Sequence, residues 1–461
     1  MRIVRSLLAF AFVLIGAAAV AVVLALYLAA TGRSLPVLRA VVARLGQTIA
    51  GQQTTALALH VRLRPDAGAL SGTAQLTVRA AGAGRERVYF LLNDGLRLDA
   101  VWEIGADGAR APLPFYRLLM LTVVELPRAL DADEEVQLGF AYGGRPRSGG
   151  LTASGGVLQP DDVVITPAEF WYPADLQGFF DVDVEVTLPA DLTLVHNGRE
   201  ASRIVEGTSA RVRWASERPV AGLSLVAGRY TAHTRQHDGI GYRVLLPAGV
   251  DLDAERLLDG LAVSQQGLAT HFGPSGFAQT TLYVNRHLPR AFNDGTGLLA
   301  IPPRYFRDGD YGYEATAHEV AHNWWGATVA EYWLQPGTGG QWIVEGFAEL
   351  SGWRAVRERL GEAALLRILA ASGYDPDSTA TLAAQSVLDN GLDREARPII
   401  YDKGGYVAYM LEQRLGSEAF DAAARQFLEQ FRHRGATDTD LETVFAASSQ
   451  QDLAPFFTAW V

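Results

Sequence analysis

The stretch Tyr311-Gly-Tyr-Glu-Ala-Thr-Ala-His318-Glu319-Val-Ala-His322-Asn-Trp-Trp-Gly326 decides how the second half of the chain is read. Its periodicity predicts a helix, with Gly326 placed to end it. A separation of four puts His318 and His322 on adjacent turns of one face, where two imidazoles can converge on a metal ion at about 2 Å. Glu319 stands beside them, able to address a water on that metal. In a chain with nine histidines, chance matches to His-Glu-x-x-His are expected at roughly 0.01. Two histidines and a glutamate projecting from apolar surroundings would be costly to bury without a partner, which favours a ligand role. The chain has no cysteine, so a metal must sit on His, Asp and Glu, and a disulfide framework or thiol nucleophile is excluded. A catalytic zinc takes three protein ligands and keeps one position open. Glu345 and Glu349, in Trp342-Ile-Val-Glu345-Gly-Phe-Ala-Glu349-Leu, lie one turn apart on an expected helix, and either can be the third ligand.

Working outward, helical periodicity recurs over Asp251 to Phe272, Glu345 to Leu360, Tyr401 to Leu415 and Ser417 to Phe431. One further strand, Tyr242 to Leu246, is expected in this half. Between about Thr54 and Thr231 the pattern changes to short alternating runs such as Leu57-Ala-Leu-His-Val-Arg-Leu63 and the DVDVEVTL run from Asp181 to Leu188. These read as strands of a mostly antiparallel sheet region. The Gly-rich piece from Gly143 to Gly156 reads as a surface loop.

The amino terminus carries a different signal. Arg2 and Arg5 precede an unbroken apolar run from Leu7 to Ala30, which as a helix would be about 36 Å long against a hydrocarbon core of about 30 Å. A cleaved signal peptide would have a shorter apolar region, so an uncleaved anchor is expected. The expected organisation is therefore a multidomain α+β protein: 1–33 a cytoplasmic stub and N-terminal transmembrane helix, 34–53 a linker, 54–236 an antiparallel β-sheet-rich domain, and 237–461 a mostly helical catalytic domain. The protein would be single-pass, with its catalytic domain outside the cytoplasm, because long domains translocate largely regardless of charge. A net charge of -11 without clustered Lys and Arg argues against a nucleic-acid partner.

With these residues in view, the chain resembles the M1 family of gluzincin metallopeptidases, the group containing aminopeptidase N and leukotriene A4 hydrolase. HEVAHNWWG is similar to the family's HExxHxWxG, and WIVEGFAEL to its WLNEGFA. The resemblance implies a β-rich N-terminal domain, a thermolysin-like catalytic domain, one Zn2+ per chain, Glu345 as third ligand and Glu349 in support. Ile400-Tyr401-Asp402-Lys403-Gly404 is similar to the family's Y-x-K-G, implying Tyr401 as oxyanion donor. Phe170-Trp-Tyr-Pro173 and Arg218-Pro-Val-Ala-Gly-Leu-Ser-Leu-Val-Ala-Gly-Arg-Tyr230 also follow family patterns.

There are departures. The 22 residues between His322 and Glu345 exceed the family's usual spacing, and the excess coincides with Pro336-Gly-Thr-Gly-Gly340, read as a loop insertion. The amine-binding GxMEN is replaced by Ala291-Phe-Asn-Asp294-Gly-Thr-Gly297, with Asp294 where the glutamate would be. The chain ends similarly to where the family's catalytic domain ends, before its usual C-terminal helical domain. The expectation is a membrane-anchored zinc peptidase of aminopeptidase-like character acting on peptide substrates. The alternatives are a zinc endopeptidase or other hydrolase with an open cleft, and a non-catalytic zinc-binding protein; no protein partner is indicated.

Overall fold

A computed structural model describes residues 49–147, 156–175, 178–307, 312–330, 340–370, 381–383 and 396–461. The expected span at 7–30, most of the linker, the centre of the Gly-rich loop and most of the loop insertion lie outside these residues. Among the described residues no helix is long and apolar enough to cross a membrane.

The N-terminal domain is built from strands whose alternation sets their faces. In β1 (Gln52–Arg64), Leu57, Leu59, Val61 and Leu63 are all buried while their neighbours face out, the period-2 pattern of a half-covered sheet. β1 pairs antiparallel with β2 (Ala69–Ala80) and is the middle of an eight-stranded sheet. On its other side it pairs with β6 (Asp181–Pro189) in parallel, Leu57 opposite Val182 and Val61 opposite Val186. That parallel pair is the exception in a sheet otherwise antiparallel, as the alternation led one to expect. A smaller antiparallel sheet of β3 (Arg85–Leu91), β5 (Leu121–Leu130) and β4 (Phe115–Leu118) packs against the same core. Trp171, Tyr172 and Phe180 join that core, and the buried Trp171 indole donates to the Leu223 carbonyl at 2.7 Å.

The second domain opens with a sheet, more of it than one strand. β7 (Tyr230–His237), β8 (Ile240–Pro247), β9 (Gln279–Val284), β11 (Leu298–Ile301) and β10 (Phe292–Asn293) lie side by side in that order. The β8–β9 and β9–β11 pairs are parallel and the outer two antiparallel. β9 and β11 are buried along almost their whole length, so they carry short apolar runs without alternation, which periodicity cannot tell from a helix segment. β7 starts at Tyr230 and pairs only within this sheet, ahead of the boundary expected at 236/237.

The helices follow: α1 (Ala254–Phe272), α2 (Tyr313–Ala321), α3 (Gly340–Leu360), α4 (Glu362–Ala370), α5 (Gly404–Leu415), α6 (Ser417–Gln430), α7 (Asp438–Ser449) and α8 (Ala454–Trp460). Asp253 caps α1 by accepting from the Glu255 and Arg256 amides. α3 is the centre of the domain, buried on nearly every side and packed on α2 and α5. Its buried apolar residues run from Trp342 to Val356, Arg354 is buried among them, and the last residues from Glu358 reach solvent.

Candidate metal centre

Three elements meet at one point: the C-terminal turn of α2, the second turn of α3, and a single π-helical turn, Ile399–Lys403, that leads into α5. The close approach has a sequence basis. A Cβ on Gly346 would lie 2.6 Å from the backbone carbon of Gly404, and one on Gly405 would lie 2.6 Å from Trp353. Only glycine lets α3 and α5 touch backbone to backbone here, and that contact brings Tyr401 to the ligand residues.

His318 and His322 share the inner face of α2, ring centroids 4.9 Å apart. The α-helix itself ends at Ala321, with His322 as its cap residue, and the backbone turns through Gly326 at φ 123. The early end has a use. His322 Nδ1 donates to the Trp325 carbonyl at 2.9 Å, which leaves Nε2 aimed at the site. His318 is oriented from behind by Glu349, whose carboxyl oxygen stands 3.6 Å from its Nδ1.

The third donor is Glu345. Its Oε2 lies 3.4 Å from His318 Nε2 and 3.5 Å from His322 Nε2, and the three donor atoms fall within 4.8 Å of one another. Ligands held at about 2.05 Å around a tetrahedral ion stand about 3.3 Å apart, so the spacing fits a metal of zinc's size. Glu345 Oε2 and Glu319 Oε2 are both buried, without a hydrogen-bond partner among the described residues. Buried carboxylate oxygens are rarely left so; Glu345 Oε2 faces the two ring nitrogens, and Glu319 is close enough to interact electrostatically with His322 and Glu345. A donor set of two imidazoles and one carboxylate, with no thiolate, is that of a catalytic zinc site with an open position.

The electrostatics separate the carboxyls by role. Burial raises the Glu345 carboxyl, yet the flanking His322 and His318 outweigh it and hold it well below the usual carboxylate range. Burial lifts Glu319 to about 8, only partly opposed by His322. Glu349 is pushed to about 8 by burial and by the nearby Glu314 and Asp402, which suits a supporting group rather than an anionic ligand.

The Tyr401 ring lies 6.1 Å from that of His318 and nearly parallel to it. π-turns of this kind recur at functional sites because the extra residue re-aims one side chain. Two neighbours escaped the sequence reading. The Arg397 guanidinium lies over the Tyr401 ring at 4.0 Å, a cation one turn before the tyrosine. Asn293, on the edge strand β10, donates to the Glu319 carbonyl at 2.8 Å and to Asn323 at 3.1 Å, tying that edge to α2. The i, i+4 spacing of Arg397 and Tyr401 was a weak signal for the first; nothing local signalled the second.

Asp294 is buried in the turn between β10 and β11. Its Oδ1 accepts from the Thr296 amide at 2.8 Å and the Thr296 hydroxyl at 2.6 Å, the bonding of an Asx turn. Burial raises its carboxyl to about 6 despite these bonds.

Residues 306–460 match the description Peptidase family M1 domain. The chain is 28% identical over 151 residues to Aminopeptidase M1-D of Oryza sativa subsp. japonica, covering 31% of this chain and 17% of that protein. It is 25% identical over 166 residues to Aminopeptidase N of Lactococcus lactis subsp. lactis, covering 32% and 18%. The matched stretches thus span less than a fifth of these curated relatives. A crystal structure of M1 zinc metallopeptidase from Deinococcus radiodurans superposes with a TM-score of 0.73 at 20% identity, covering 89% of this chain and 94% of that one. A mutant of that protein was solved bound to a Tyr-Ser-Ala substrate.

Proposed function

From the match of residues 306–460 to the peptidase family M1 domain, we propose that the chain is a zinc metallopeptidase of that family which cleaves peptide bonds from the amino end of its substrates. We further propose that residues 7–30 hold it in a membrane with the catalytic domain outside the cytoplasm. The observation that carries the hydrolytic reading is the pair of orphaned carboxylate oxygens, Glu345 Oε2 on the two histidines and Glu319 Oε2 beside them. When bound by His318, His322 and Glu345, Zn2+ supplies a Lewis acid and a water acidified towards about pH 7.

The residues divide the remaining work. Glu319 takes the proton of the attacking water and returns it to the leaving amine, and its burial keeps its proton affinity near neutrality, where such exchange is efficient. The Tyr401 hydroxyl donates to the oxygen that becomes anionic as the carbonyl is attacked. Arg397, stacked on the Tyr401 ring, holds that phenol in place with a positive charge. The Trp325 carbonyl and Glu349 fix the two imidazoles from behind.

A second reading, an endopeptidase or other hydrolase with an open cleft, is favoured by one observation. The Asp294 carboxylate is taken up by Thr296 in its own turn, which weakens it as an anchor for a substrate ammonium. Aminoacyl fluorogenic substrates and their N-blocked counterparts, each assayed with and without a chelator, separate the readings. Cleavage of the free-amine substrates alone, abolished by chelation and restored by zinc, supports the aminopeptidase. Equal or faster cleavage of the blocked series supports the second reading, and activity indifferent to chelation removes the zinc mechanism. Flotation of the full chain with vesicles tests the anchor.

A further inference from the structure

The three-stranded sheet of the N-terminal domain has an outer surface that its fold does not explain. Strand pairing sets Tyr89, Val123 and Tyr116 in one row and Leu91, Leu121 and Leu118 in the next. The alternate residues Val88 and Val124 point into the core and are fully buried, so the rows turn outward, with Tyr89, Val123 and Leu121 half-buried and Leu91, at the strand end, buried in the core. Tyr116 is 61% exposed and Leu118 54%, where a sheet with one solvated face would carry polar residues. The apolar row continues into the hairpin tip with Leu119, 72% exposed and at φ 53. That backbone region favours Gly, Asn or Asp, and a leucine there is strained.

The tip is also fixed in place. The Arg117 guanidinium donates to the carbonyls of Leu92 at 2.8 Å, Asn93 at 2.5 Å and Leu96, and its Nε to Leu119 at 3.1 Å. The Leu92 amide donates to the Met120 carbonyl at 2.9 Å. A rigid, strained, apolar tip is the reverse of what a hairpin facing water requires, and contiguous apolar surface of this kind marks a contact.

The chain's path indicates what the contact is. The Gln52 side chain bonds both the amide and the carbonyl of Tyr89, at 2.9 and 2.8 Å, so the polypeptide enters the domain against the edge of this same sheet. From Val123, opposite Tyr89, the strand reaches Leu119 in about 13 Å. The apolar run Leu7 to Ala30 precedes that entry point in sequence. If that run lies in a bilayer, the tether holds this sheet at high effective concentration beside lipid. Two tyrosines on this face, followed in the next row by the Arg87–Glu125 ion pair at 3.0 Å, suit the headgroup level, where amphipathic rings and charges collect.

We propose that the outer face of β3, β5 and β4, with Leu119 at its tip, is a lipid-contacting surface that seats the catalytic unit on the bilayer. The proposal rests on the anchored reading of residues 7–30, and the test separates the two. The chain has no cysteine, so Leu119→Cys and, as a remote control on α6, Glu418→Cys each carry a single environment-sensitive fluorophore. The full-length proteins are reconstituted into phosphatidylcholine and phosphatidylglycerol vesicles, and unchanged peptidase activity certifies their fold. Flotation with the vesicles, with a blue-shifted label at 119 quenched more by nitroxide near the headgroup than at the chain end, and an aqueous label at 418, is the expected result. Flotation with an aqueous label at 119 overturns the proposal and leaves the anchor standing. Protein that stays out of the lipid fraction overturns both, and a blue shift that follows protein concentration instead of lipid overturns the proposal in favour of self-association.

Discussion

Helix α3 carries a buried charge cluster at each end, and the two are built in opposite ways. Towards its C-terminal end the Arg354 side chain, 1% exposed, donates to Glu412 at 3.2 Å and Asp421 at 2.7 Å. His271 closes the ring, 2.7 Å from Asp421 and 3.0 Å from Glu358, and Ser417 satisfies Glu412 at 2.8 Å. Towards the N-terminal end, Glu345 faces His318 and His322 at 3.4 and 3.5 Å, with its own oxygen and that of Glu319 unbonded. Both clusters are buried, charged and in one domain, so burial of titratable groups does not by itself identify a site. Satisfaction of the carboxylates does: at the closed, C-terminal end Glu412, Asp421 and Glu358 all have bonded donors, although Arg354 Nη2, 3.0 Å from Glu412, lacks an aligned bond, whereas the open, N-terminal cluster leaves carboxylate acceptors unbonded.

The comparison can be broken by substitution, because each end should lose a different property. Glu319→Gln is expected to lower kcat/KM by about a thousandfold or more, the scale of a lost general base, while zinc content stays unchanged and the unfolding midpoint stays level or rises. Zinc analysis, single-turnover kinetics and urea unfolding on one preparation check this; an active variant would remove Glu319 from the mechanism. Arg354→Met should do the opposite. Stripping one partner from a buried ion cluster typically costs about 3–5 kcal/mol, read as a lower urea midpoint with kcat nearly unchanged at low denaturant. A stable Arg354→Met enzyme would show that the closed cluster is not structural.

Tyr401→Phe removes only a hydroxyl, and the loss of one oxyanion donor is expected to lower kcat by about 100 to 1,000-fold with little change in KM or stability. Equal turnover in parent and variant would leave the π-turn with no catalytic purpose and shift attention to Arg397.

Only part of this was legible in the sequence. His318, Glu319 and His322 are fixed by spacing within one helix, and helix geometry is local enough to read. Glu345 was one of two equivalent glutamates until the family resemblance chose between them; its carboxylate oxygen lies within 4.8 Å of the two imidazole nitrogens. Tyr401 was likewise an inference from resemblance. Gly346 and Gly404 were visible as letters, but that they allow a backbone crossing is a fact of tertiary packing. β9 and β11 were lost because strands buried on both faces have no alternation. Asp294, in a Gly-rich stretch, has the residue type of a turn as well as that of an amine anchor, and its bonds to Thr296 are those of a turn.

The smallest expected effect is the most specific to the closed cluster. The bonds to Asp421 and Glu358 raise His271 to about 9, against an ordinary value near 6.5. A group whose folded pKa is raised contributes stability that is complete below its unfolded value and lost as pH rises through its folded value. Asp421 and Glu358 are shifted the other way: burial raises Asp421 but His271 and Arg354 outweigh it, and His271 lowers Glu358. Their share is present above the usual carboxylate range and lost only in acid. The His271 contribution should therefore be full between about pH 5 and 6.5 and fade towards pH 9. Measured by urea unfolding, the parent should exceed His271→Gln in stability near pH 6, and the gap should narrow steadily up to pH 9.5. A gap that is flat across this range would mean that His271 is neutral in the folded protein, and that the second cluster is not closed by charge.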